Sequence, residues 1–191
     1  MSTEIDREDV LLLIFDAYDR LFHRAAFNGV TRLEKLVFLL AEEAGLKDIG
    51  QLFAFRAYKF GPYSKGVYDA AAFLQSADLV EVEVKPYYSY YLAEEEKELQ
   101  RDIDTDDESG EPTPSGNEKL FTLTKNGKTL AGRLRSIWEN EYPQTLANID
   151  QIVGRYGSLP LNQIIRYVYR RYPKMAENSI HPEAKRLAQQ P

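Results

Sequence analysis

In Leu79-Val80-Glu81-Val82-Glu83-Val84, apolar and acidic side chains alternate without a break from Val80 onward. A period of two predicts a half-exposed β-strand, and Pro86 ends it. Lys119-Leu120-Phe121-Thr122-Leu123 has the look of a second short strand, and pairing the two makes a hairpin with a long tip. Tyr87, Tyr88, Tyr90 and Tyr91 lie between them in the run YYSYYL, which supplies a third strand or the base of the tip.

Working upstream, Gly61-Pro62 forces a turn and Ser64 is placed to cap a helix extending to about residue 77. Tyr63 and Tyr68 are spaced as a hydrophobic staple across its first turn. Residues 53–60, FAFRAYKF, alternate well enough for a short strand. Thr31-Arg32-Leu33-Glu34 has capping-box spacing, and Leu33, Leu36, Val37, Leu40 and Ala44 form the stripe of the helix it opens. Residues 6–27 read as another helix, apolar on most sides, which predicts deep burial or pairing with a second copy as a homodimer through this first helix. Downstream of the hairpin, stripes led by Leu130, Leu146 and Leu161 predict three more helices.

Helix, helix, short strand, helix, hairpin, then helices is the order of a winged helix with an extension. The fold class expected is mainly α with a small antiparallel β-sheet (α+β): a winged-helix-like core and a C-terminal helical extension. Residues 1–191 read as a single such domain, with a loose polar tail after residue 173.

Charge is unevenly spread. The whole chain carries 24 bases against 30 acids, a net −6. Residues 1–92 are −4, residues 93–118 are −9 with 11 acids, and residues 119–191 are +7. The middle stretch has almost nothing to bury and reads as a disordered acidic insert, a linker or an internal nucleic-acid mimic shielding the basic end. The chain has no cysteine, no leader-like start and no apolar run near the ~20 residues of a membrane span. A cytoplasmic protein with no membrane contact is expected.

Catalytic chemistry finds little purchase. His23 and His181 are far apart in sequence and neither has a ligand-spaced companion, so no metal or other cofactor is expected. Ser64 lacks a nucleophile-elbow context. The chain reads as no enzyme. Nucleic-acid binding has one favourable stretch, where Arg166, Arg170 and Lys174 fall on one helix face with Arg171 beside them and Tyr167 and Tyr169 nearby. Lys125, Lys128, Arg133 and Arg135 add a second basic cluster. The helix before the wing, by contrast, offers only Lys65 against Asp69 and Asp78, and the wing shows Glu81 and Glu83, the wrong sign for phosphates. The surplus of tyrosine, 13 in all, favours a protein-interaction surface at Tyr87, Tyr88, Tyr90 and Tyr91.

Taken together, Arg32-Leu33-Glu34-Lys35-Leu36-Val37-Phe38-Leu39-Leu40, the turn Lys59-Phe60-Gly61-Pro62-Tyr63-Ser64, the LQSADLV stretch at 74–80 and Phe121-Thr122-Leu123-Thr124 resemble the Panacea domain, the SocA-like antitoxin family. The closing Ile164-Ile165-Arg166-Tyr167-Val168-Tyr169 with Tyr172-Pro173 is similar to the related YwgA-like proteins. The resemblance implies a winged-helix-like protein without catalytic residues. It also implies an antitoxin that neutralises, by protein–protein binding, a toxin encoded nearby. The alternative is a DNA-binding transcriptional regulator of winged-helix type, contacting DNA through Arg166, Arg170, Arg171 and Lys174.

Overall fold

The computed structural model describes residues 5–23, 26–86 and 117–188. The chain order is α1 (Arg7–Phe22), β1 (Ala26–Asn28), α2 (Val30–Glu43), α3 (Lys47–Phe53), β2 (Arg56–Tyr58), β3 (Gly61–Tyr63) and α4 (Lys65–Ser76). There follow β4 (Val80–Pro86), β5 (Asn117–Leu123), α5 (Lys125–Glu141), α6 (Pro143–Tyr156), α7 (Leu161–Arg171), a 3₁₀ turn (Pro173–Ala176) and α8 (Pro182–Ala188). The described residues are mainly helical with a small antiparallel sheet, the α+β class expected.

α1 is the central element. Val10 through Phe15, Ala17 and Tyr18 are all buried, and the helix packs against α4, α5, α6 and both β1 and β5. Its apolar girth is therefore consumed inside the chain, which corrects the expected homodimer through the first helix. α1 also ends earlier than its hydrophobic pattern suggested. His23 takes a left-handed conformation with φ 51° and closes the helix onto Asp19. The chain then turns into β1, where Phe27 packs edge-on against Phe15 and Tyr18.

The hairpin expected from the alternating stretch forms, with Val80 opposite Leu123 through to Val84 opposite Lys119. The third strand among the described residues is β1, which pairs Phe27 with Phe121 on the other edge of β5. Residues 87–92, including the four tyrosines assigned to an interaction surface, lie outside the described residues, as do residues 93–116 of the acidic insert. Asn117 and Glu118, placed in that insert, belong to β5.

α5 begins where the sheet ends. Thr124 caps it, its hydroxyl accepting from Gly127 N at 3.0 Å and donating to Asp78 O at 2.7 Å. Thr124→Ala is expected to cost about 1–2 kcal/mol, the upper range for a cap, because the tie to α4 goes with it. Urea unfolding followed by circular dichroism would measure it.

Two local expectations fail for physical reasons. Phe53 closes the short helix α3, capped by left-handed Ala54 with φ 48°, so only Arg56–Tyr58 of the predicted strand is extended. A seven-residue helix is too short to display a period. The capping box does not form either: Gly29, with φ 83°, is the N-cap of α2, and Thr31 and Glu34 are buried inside the helix.

The tail after residue 173 is held rather than loose. Ile180 N donates to Lys59 O at 2.9 Å, Ser179 Oγ donates to the same oxygen at 3.0 Å, and Asn178 Nδ2 donates to Ala57 O at 3.3 Å. These bonds lay the tail along β2. Glu183, 8% exposed, receives the Arg166 guanidinium on both oxygens.

Candidate functional site

The turn motif singled out in the sequence sits over an ion pair that the sequence did not reveal. Glu34 and Lys35, neighbours on α2, are 3% and 1% exposed. Lys35 Nζ donates to Pro62 O at 2.9 Å and lies 3.6 Å from Glu34 Oε2. Ser64 N donates to Glu34 Oε1 at 3.1 Å, and Ser64 Oγ donates to Phe53 O. Ser64 thus stands at the N-cap position of α4 without capping through its side chain. Its hydroxyl ties α3 to the turn, and no base is aligned on it.

Burial drives both charges toward neutrality. It pushes the Glu34 carboxyl up to about 7, opposed by Lys35 and the Ser64 N–H. It lowers the Lys35 ammonium, opposed by Glu34. Such a pair is costly to form and more costly to break, so it fixes the turn in one position relative to α2.

The rest of the motif is accounted for by packing. Gly61 has φ +94°, and a Cβ there would fall 2.7 Å from Cε1 of Tyr169. Only glycine meets both conditions. The Tyr169 hydroxyl shares a 2.7 Å hydrogen bond with Ser179 Oγ, and burial raises the pKa of that phenol. Tyr63 packs tilted against Tyr58 at 5.1 Å and against Tyr68 at 5.7 Å, the second contact being the predicted staple. The Arg56 guanidinium lies over the Tyr58 and Tyr63 rings at 5.4 and 5.0 Å, with Lys59 Nζ 5.7 Å from Tyr58. The cleft bounded by Thr31, Glu34, Lys35, Phe60 and these tyrosines has a free space of about 20 Å³, enough for a water molecule. Main-chain hydrogen bonds at Lys59, Pro62 and Ser64, the glycine geometry of Gly61 and the ring packing of Tyr63 hold this turn in place, with Phe60 buried beside them.

The C-terminal basic stripe is only partly free. Arg166 is bidentate on Glu183 at 3.1 and 2.7 Å, and Arg186 joins the same carboxylate at 3.1 Å. The Arg166 hydrogen bonds hold that carboxyl below its usual range. Tyr167 donates to Glu43 at 2.5 Å with its ring tilted against Tyr156 at 5.3 Å, and Tyr169 is buried and not offered for base stacking. Arg170, Arg171 and Lys174 are exposed, with the Arg171 guanidinium 5.7 Å over Tyr172. In the second cluster Lys128 is bound to Asp19 at 2.7 Å, and Arg135 bridges Asp16 and Asp150 at 2.9 and 3.0 Å. These last pairs tie α5 to α1 and α6.

The exposed face of α4 carries the charges the sequence placed there together with one residue the sequence reading missed, Phe73. Lys65, Asp69, Ala72, Phe73 and Ser76 are outward, and Phe73 is 55% exposed. Asp78 follows, with φ 56°, and Glu81 and Glu83 project from the outer side of β4. A large aromatic among acids and small residues is suited to an apolar pocket on another protein and unsuited to phosphates. His23 is exposed beyond α1, and His181 accepts from Glu183 N at 3.1 Å while its ring meets Tyr169 edge-on. Among the described residues no group of three His, Asp or Glu side chains gathers as metal ligands, and no helix is long and apolar enough to cross a membrane. No family model, no curated protein and no solved structure matches the chain. The geometry and the residues themselves therefore carry the functional reading.

Proposed function

We propose that this chain is a non-enzymatic, cytoplasmic protein-binding module of winged-helix type, acting as an antitoxin-like or defence-associated regulator. The observation that carries the reading is the outer face of α4. In a winged helix this helix, just before the hairpin, is the one that would enter a DNA groove. Here it presents Phe73 with Asp69 and is flanked by Glu81 and Glu83. The element order supports the winged-helix reading, since β4 and β5 follow α4 and the sheet is completed by β1 from between α1 and α2. The Panacea-like residues support the antitoxin reading, and the partner they suggest is a toxin encoded by an adjacent gene.

Coexpression with the product of that gene should give a complex that survives size exclusion and should relieve any growth arrest the product causes. Neither complex nor relief would remove the proposal. The alternative, a DNA-binding regulator, is favoured by the exposure of Arg170, Arg171 and Lys174. It requires binding to duplex DNA that weakens steeply with salt, by close to one power of salt concentration per phosphate contact.

A further inference from the structure

We propose that the cleft above the Glu34–Lys35 pair binds a single internal water molecule, which completes the pair by bridging Lys35, Glu34 and Thr31. An ammonium group has three N–H donors. That of Lys35 gives one to Pro62 O at 2.9 Å. Glu34 Oε2 stands 3.6 Å away, an ion contact but longer than a hydrogen bond. Two donors therefore remain on a side chain only 1% exposed. Glu34 matches them: Oε1 accepts from Ser64 N at 3.1 Å, while Oε2 accepts no hydrogen bond among the described residues. Thr31, one turn back on α2 and 5% exposed, has a hydroxyl that likewise finds no partner among the described residues. Buried polar groups are rarely left in that state.

All three residues border the cleft, together with Pro62. Its free space of about 20 Å³ suits one water, which needs roughly 10–15 Å³ on this measure. The groups also select the ligand. Lys35 only donates, the Glu34 carboxylate only accepts, and a hydroxyl does either. A cation would be opposed by Lys35 and an anion by Glu34, so a neutral molecule that donates and accepts at once is the one that fits. Water accepts from Lys35 Nζ, donates to Glu34 Oε2 and keeps a third bond for Thr31 Oγ1, the usual number for a buried water. Because water can reverse its role, the bridge serves a protonated carboxyl as well as a carboxylate. Tyr58 and Tyr68, both half-buried, border the same cleft and give water its way in from the surface. Thr31 is thus a positioning residue, holding the water that holds the pair.

Oxygen-17 relaxation dispersion of the full chain counts long-lived bound waters without interference from exchanging ammonium and hydroxyl protons. Thr31→Val keeps the shape of the side chain and removes the hydroxyl, so the dispersion should fall by the amplitude of one water. Thr31→Ser, which keeps the hydroxyl, should leave it unchanged. A high-resolution crystal structure of the unmodified chain supplies an arm that needs no variant to fold. It should show the water within hydrogen-bond distance of Lys35 Nζ, Glu34 Oε2 and Thr31 Oγ1 together. Equal dispersion in Thr31→Val and the unmodified chain would overturn the proposal, as would a crystal structure in which Lys35 bonds Glu34 directly with no water between them and Thr31.

Discussion

Lys35→Ala should remove roughly 3–5 kcal/mol of stability at neutral pH, because it leaves the Glu34 carboxylate buried without its counter-ion and Pro62 O without its donor. Chemical unfolding of the purified chain would read it. Replacing both partners, Glu34→Gln with Lys35→Met, should cost less than Lys35→Ala alone, since no uncompensated charge remains and the glutamine oxygen can still accept from Ser64 N. A double variant as damaged as the single would mean that the pair is not the anchor described above. The pair also carries a pH signature. Burial raises the folded-state pKa of Glu34 from 4.5 to about 7, so the folded chain holds that proton more tightly than the unfolded one. The resulting stability is fully present below about 4.5 and is lost as pH rises through about 7. Glu34→Gln should abolish that loss, which a series of unfolding curves across the window would reveal.

Gly127→Ala is the second large effect, and its sign is the informative part. In an ordinary helix the change gains about 0.5–1 kcal/mol. Here the new Cβ would lie 2.0 Å from Leu79 O and 2.9 Å from Leu79 C, both main-chain atoms. The neighbouring Thr124 N donates to that same oxygen at 3.1 Å, so α5 cannot back away without losing its docking on the sheet. A net loss of about 2–3 kcal/mol is expected. Gly132→Ala, in the same helix, meets nothing within 4 Å and should gain about 0.5–1 kcal/mol. Equal shifts for the two variants, seen in thermal melts, would contradict the close approach of α5 to Leu79.

The hairpin was legible because Glu81 and Glu83 alternate with valines, a pattern with one structural meaning. α1 was legible as a helix, but its length was not, since Phe27 continues the apolar pattern while belonging to β1. Glu34 was misread for a reason visible in retrospect. Leu36 through Leu40 are five consecutive apolar residues, all buried, so α2 has no solvent face here on which a capping glutamate could sit. Arg166 and Glu183 are 17 residues apart, and their pairing depends on the tail folding back, which no local pattern encodes. The exposure of Phe73 escaped notice because its neighbours Ala70, Ala71 and Leu74 are buried and an aromatic beside them reads as core.

On the proposed function, α4 and the hairpin, rather than the C-terminal arginines, engage the partner, and that partner is a protein. The most direct measurement compares two variants in complex formation with the adjacent gene product, each first verified as folded by circular dichroism. Phe73→Asp should abolish the complex, while Arg170→Ala, Arg171→Ala and Lys174→Ala together should leave it intact. Loss of binding only in the triple variant, or salt-sensitive binding to duplex DNA that the triple variant lacks and Phe73→Asp retains, would contradict the account.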